Sequence, residues 1–233
     1  MPDDTSLKVR RDEDTAPSAA SQKWGALASF LLAVVLIVPE LIYLMGNLRE
    51  ANGPLAYSLA DFLYGPVRAA SLVMAVYALR QRMGARAPRL MSLVMLAAAL
   101  AAGMFVMAAL LRSANRHYHL IHPELHLEMA STVLIVWATL VAGVIATGWH
   151  FLGWSLILLG SAGWPGGRLP HALSGLYWVV GAAALFVYLL PDLEGFVVLF
   201  GGVMSIWQGI LLWNAQAGET PAPRLNAGQP DFA

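Results

Sequence analysis

The stretch RSANRHYHLIHPELHLE, residues 112 to 128, gathers four of the chain's six histidines (His117, His119, His122, His126) with Glu124 and Glu128 between two strongly apolar runs. Imidazoles and carboxylates are the side chains that hold zinc, iron or copper, and histidines three or four apart on a helix bring two rings to one face. His119, His122, His126 and Glu128 are therefore the candidate metal ligands, and a divalent metal is the candidate cofactor. Pro123 works against a helical clamp at 122 and 126, because the residue before a proline is pushed out of helical geometry. The HExxH order, which puts a general base beside two zinc ligands, does not occur. The competing reading is a solvated loop whose charge changes between about pH 5 and 8.

Four further residues carry charge or imidazole inside runs that are otherwise apolar: Glu40, Asp61, Arg68 and His150. An ionised side chain at membrane depth costs at least ~2.5 kcal/mol on insertion scales, so each needs a partner or a function. Pro39 lacks the N–H that a helix would direct at the Val35 carbonyl, which leaves that oxygen free beside Glu40. Asp61 and Arg68 are seven residues apart, nearly one face of a regular helix, with Tyr64 and Gly65 between them. Arg68 could equally meet Glu40 across two helices. His150, flanked by Trp149 and Trp154, is central in its apolar run. These four are the candidate lining of a polar cavity for a small ligand or ion; the alternative is that they act as structural glue. No residue is identified as catalytic.

The elements that must position these groups follow from composition. Fifty-eight per cent of the residues are hydrophobic and 12% charged, against roughly a quarter charged in ordinary soluble domains. Several windows exceed the ~18 apolar residues of a membrane span. The fold class is all-α, a polytopic membrane helix bundle, with six transmembrane helices expected at about 25–46, 57–80, 90–112, 138–162, 172–190 and 196–214. Residues 127–163 hold no acidic or basic residue except His150 and Glu128, so either one helix projects from the membrane or a turn near Gly148 makes seven spans. The bundle is expected over 24–214, between disordered tails at 1–23 and 215–233.

Arginines and lysines set the orientation. Lys8, Arg10, Arg11, Lys23, Arg80, Arg82, Arg86 and Arg89 fall on one side with Arg168 and Arg224 if there are six spans, while Arg49, Arg112 and Arg116 fall on the other. Positive charge stays inside, which expects both termini in the cytoplasm and the histidine loop outside. A net charge of zero gives no reason to expect nucleic acid as a partner. The lipid bilayer is the expected partner, with a small ligand or ion, and nothing in the sequence sets an oligomeric state.

Several chemistries are excluded by what is missing. With no cysteine there is no thiolate nucleophile or ligand. The only lysines, Lys8 and Lys23, lie ahead of the first span, so no retinal can be carried inside the bundle. No phosphate-binding loop or dinucleotide fingerprint occurs, hence no nucleotide, and no GxSxG marks a serine hydrolase.

The stretch WHFLGWSLILLGSAGWPGGRLPHALSGLYWVVGAAALFVYLLP from Trp149, with ADFLYGPVRAASLVMAVYALRQRM from Ala60, resembles a bacterial integral-membrane family known as domain of unknown function 4386. The resemblance covers about residues 24–214 and implies a compact bundle of six or seven helices in a bacterial cytoplasmic (inner) membrane. It brings no activity and no catalytic residues. The leading functional expectation is a non-enzymatic protein with an outward-facing polar cavity. The alternatives are a metal-dependent, hydrolase-like membrane enzyme acting on a lipid or other apolar substrate, and a structural or stress-response subunit.

Overall fold

The computed structural model describes residues 19–49, 54–84, 87–121, 129–165 and 169–214. Of the tails expected at 1–23 and 215–233, only 19–23 are described, and they are helical. Every element among the described residues is a helix. Helix α1 (Ala19–Arg49) contains Pro39. The second rod is composite: α2 (Pro54–Phe62) runs through a π-helical turn, Leu63–Val67, into α3 (Arg68–Met83). Then come α4 (Pro88–Ile121), α5 (Met129–Gly163), α6 (His171–Phe186) and α7 (Leu193–Asn214).

The π turn has a cause in sequence. Pro66 has no N–H for the Phe62 carbonyl and its ring crowds that oxygen. The chain takes one extra residue into the turn, and the Arg68 N–H donates to the Leu63 carbonyl five residues back. One added residue rotates everything after it by about 100° relative to a regular helix. Asp61 and Arg68 therefore do not share a face, contrary to the regular seven-residue spacing.

Five rods are long and apolar enough to cross a membrane, and α6 is apolar but shorter. At 1.5 Å per residue α4 and α5 are each about 50 Å long, well beyond a ~30 Å hydrocarbon core. Helix α5 is unbroken through Gly148, so the seven-span alternative is ruled out. Gly148 serves close approach instead of a turn: a Cβ there would sit 3.0 Å from the Phe105 ring of α4.

Each rod packs on its neighbours in sequence, and α7 returns onto α1, so the six rods close a ring. Short connections make successive rods antiparallel. The outward faces are apolar, with Leu31, Val34, Leu96 and Ile210 exposed, as a lipid-facing surface requires. Inside, one buried amide ties four helices: Tyr177 Oη donates to Gln208 Oε1, and Gln208 Nε2 donates to Ser29 Oγ at 3.1 Å and to the Ala75 carbonyl at 3.4 Å.

Helices α5 and α6 meet backbone to backbone, where a Cβ on Gly153 would lie 2.7 Å from the Gly181 carbonyl oxygen. Gly153→Ala should thus lower stability in detergent by about 1–3 kcal/mol through overpacking. Gly103→Ala, whose Cβ would meet nothing within 4 Å, should raise it by up to about 1 kcal/mol through helix propensity. Thermal unfolding of the two variants beside wild type checks both signs.

Candidate functional site

Arg68 is the largest charged side chain inside the ring and is only 1% exposed. Pro39 leaves the Val35 carbonyl without its helical donor, and Arg68 fills the gap: Nε and Nη2 donate to that oxygen at 3.3 and 3.0 Å. Nη2 also reaches Glu40 Oε1 at 3.3 Å. Three rings surround the guanidinium, with Tyr64, Phe105 and Trp149 centroids 4.0, 5.2 and 5.5 Å from its Cζ. Such contacts are worth about 2 kcal/mol or more when desolvated, so the charge is held by an acid, a carbonyl and an aromatic cage.

Asp61 faces elsewhere. Tyr43 donates its hydroxyl to one carboxylate oxygen and Arg116 Nη2 pairs directly with the other. Arg112 Nε stands 3.9 Å from Asp61 Oδ1. The Arg112 guanidinium lies 4.1 Å from the Tyr64 ring and 4.9 Å from that of Tyr43. Tyr64 thus carries two guanidiniums, Arg68 and Arg112, and links the buried charge to the Asp61 cluster. Glu194, in the first turn of α7, accepts from Trp149 Nε1 at 3.0 Å and lies within electrostatic reach of Glu40, Arg68 and Arg112.

These groups sit at the end of the ring where α4 leads toward α5. There a fissure separates the N-terminal half of α5 from the other rods. One part, about 560 Å³, is lined by Tyr43, Tyr57, Asp61, Arg112, Arg116 and Trp137 among others. A second, about 770 Å³, runs between α5 and the α6–α7 connection past Gly143, Thr147, His150, Tyr188 and Glu194. Ala142 and Ile145 border both. Beside this fissure two nitrogens of Arg112, Nε and Nη2, are shielded from solvent and have no hydrogen-bond partner among the described residues. A buried donor left open in this way is worth about 1–3 kcal/mol to whatever fills it. Deeper, a small cavity of about 30 Å³ is lined by Arg68, Ser205 and Gln208 among others, room for about two waters.

No family model, curated protein or solved structure matches the chain. Geometry alone therefore carries the assignment of roles. Of the four cavity candidates, Glu40 and Arg68 meet, while Asp61 is taken by the α4 arginines because the π turn rotates it away. His150 does not reach Arg68: its Nε2 accepts from Trp154 Nε1 at 3.2 Å, and its ring lies 6.4 Å from that of Tyr188 in the second part of the fissure.

Among the described residues no three of His, Cys, Asp and Glu gather as a metal site. His117 is exposed near the end of α4, and His119 is helical. The candidate ligands His122, His126 and Glu128 lie outside the described residues, as does Glu124. Sequence reasoning missed Tyr43, Tyr64, Arg112, Arg116, Trp149 and Glu194. The signal available was the four-residue spacing of Arg112 and Arg116, which places both on one helix face.

Breaking a buried ion pair from one side costs about 3–5 kcal/mol. Arg68→Ala, which strands Glu40 and the Val35 carbonyl together, should fall in that range, and Arg68→Lys should recover only part because an ammonium lacks the planar fork. Glu40→Gln should cost less, since the Val35 bonds and the ring contacts survive. Unfolding midpoints in detergent should rank the variants in that order.

Proposed function

We propose that the chain is a six-span integral protein of a bacterial cytoplasmic membrane that binds, without catalysing a reaction, a small ligand bearing an anionic group in an outward-facing fissure. The observation that carries this reading is that Arg112 Nε and Nη2 make no hydrogen bond among the described residues, beside a fissure that also presents Arg116, Asn115, Tyr57 and Tyr43. A purely structural ion pair would close those donors in hydrogen bonds to Asp61, which hydrogen-bonds Arg116 and Tyr43 and leaves Arg112 Nε at 3.9 Å. Guanidinium donors pair with carboxylate or phosphate oxygens in a bidentate fork, so an oxyanion is the matching chemistry. Arg68 is placed to hold Tyr64, and through it Arg112, in position.

The orientation rests on the distribution of basic residues, with Arg80, Arg82 and Arg89 at the end opposite the fissure. The bacterial setting rests on the family resemblance carried by the stretches from Ala60 and Trp149.

Two experiments test the reading. A ligand present at a hundred times its Kd stabilises the folded state by about 2.7 kcal/mol. Phosphate or a dicarboxylate, compared with chloride at equal ionic strength, should raise the unfolding midpoint of the purified chain by several degrees, and Arg112→Gln should remove the effect. Equal midpoints in every anion would count against an oxyanion site. The chain has no cysteine, so single cysteines report sidedness cleanly: Asn115→Cys should react with an impermeant maleimide in intact cells and Gln216→Cys only after permeabilisation. The reverse pattern would turn the fissure inward.

A further inference from the structure

The fissure is polar at one end and apolar along most of its length, and that gradient bears on what the anionic group belongs to. Arg112 and Arg116 lie at the very end of the apolar stretch Pro88–His117, the level at which lipid headgroups meet a membrane protein. Trp137 stands in the same wall, its indole N–H donating to the Leu111 carbonyl at 3.1 Å. At the head two guanidiniums face one carboxylate, Asp61, while Glu40 is paired with Arg68 and another acid, Glu194, lines the second part of the fissure.

Below this head the α5 wall is mostly apolar or small, with Leu134, Ala138, Val141, Ala142 and Ile145, then Ala146 and Gly143, and with Thr139, Thr147 and His150 as its polar members; Glu194 of α7 also lines the second part. From Leu134 to His150 is about 24 Å along the helix axis, longer than the ~15 Å depth of one leaflet of a ~30 Å core. The span containing this wall, Thr132–Gly163, is also the least buried of the five, with 22% of its window covered against 39–50% in the others. A soluble anion would use only the arginine end and leave the trough empty.

We infer that the occupant is an anionic phospholipid, its phosphate on Arg112 and Arg116 and an acyl chain lying in the trough along α5 toward His150. This narrows the reading of the fissure as an oxyanion site and rests on it. Phosphate reaches Nε and Nη2 of Arg112, shielded from solvent in this structure, when the partly exposed guanidinium turns toward the fissure, and Asp61 competes with it for both arginines.

The test uses the full chain in a neutral detergent, with lipid retention read by native mass spectrometry against phosphatidylglycerol and phosphatidylethanolamine, and with unfolding midpoints read against inorganic phosphate. Phosphatidylglycerol should be retained at least tenfold more than phosphatidylethanolamine. Arg112→Gln should lower that retention about tenfold, and Asp61→Asn, which removes the competing carboxylate, should raise it. Ala142→Phe fills the junction of the two parts of the fissure with every charge in place. It should abolish the phosphatidylglycerol preference while leaving the response to phosphate, and it keeps the test open where Arg112→Gln fails to fold. Equal retention of the two lipids, or a preference untouched by Ala142→Phe, would overturn the lipid assignment. A response to phosphate under those circumstances would leave a soluble-anion site, whereas no response to lipid or phosphate would remove both readings.

Discussion

A guanidinium held inside an apolar helix ring is the constraint on which the rest of this structure depends. Taking the Arg68 guanidinium out of water means that its solvation has to be replaced group by group. The replacements come from four rods: the Val35 carbonyl and Glu40 from α1, Tyr64 from the π turn of Arg68's own rod, Phe105 from α4, Trp149 from α5. Trp149 in turn donates to Glu194 of α7. One side chain thereby fixes the relative height and rotation of nearly every element of the ring. Two prolines make this possible. Pro39 frees the acceptor that Arg68 needs, and Pro66 forces the turn that aims Arg68 inward and Asp61 elsewhere.

The three arginines at this end differ in what is left for them to do. Arg68 is enclosed, with Nε and Nη2 spent on the protein and Nη1 buried among the rings without a hydrogen bond among the described residues. Arg116 and Arg112 remain about a fifth exposed, at 23% and 21%, and Arg112 is oriented by the Tyr43 and Tyr64 rings more than by its acid. Ring contact fixes the plane of a guanidinium without consuming its N–H groups, so Arg112 is held in place with its donors open. The Gln208 knot at the far end works differently, because an amide, a phenol and a hydroxyl satisfy one another and leave an anchor with little to offer a ligand.

Membrane-length helices were legible in the sequence because hydropathy acts on whole windows and tolerates local error. The role of Pro39 was legible too, since a missing N–H has one geometric consequence, an orphan carbonyl at Val35. Pro66 was harder. A proline inside a helix announces disruption, but whether the helix kinks or takes an extra residue depends on packing, and here Gly65 packs against α4, where a Cβ would lie 2.5 Å from that of Ala109. Helical-wheel arithmetic carried across Pro66 therefore put Asp61 and Arg68 on one face wrongly. A ~30 Å span over 90–112 puts Arg112 at its last residue and Arg116 beyond it, whereas α4 continues to Ile121. His150 is central in sequence, but centrality in a span says nothing about which face a residue takes.

The central claim is that Arg68 is committed to the fold while Arg112 and Arg116 are available to a ligand. Phenylglyoxal modification of the chain in sealed vesicles, mapped by peptide mass spectrometry, separates the three directly, with exposed Arg80 and Arg89 as references for the opposite end. The account predicts that Arg112 and Arg116 react from the fissure side, that anionic lipid or phosphate slows both, and that Arg68 stays unmodified until the protein unfolds. Modification of Arg68 at a rate matching Arg112, or an Arg112 rate indifferent to every anion, would contradict it.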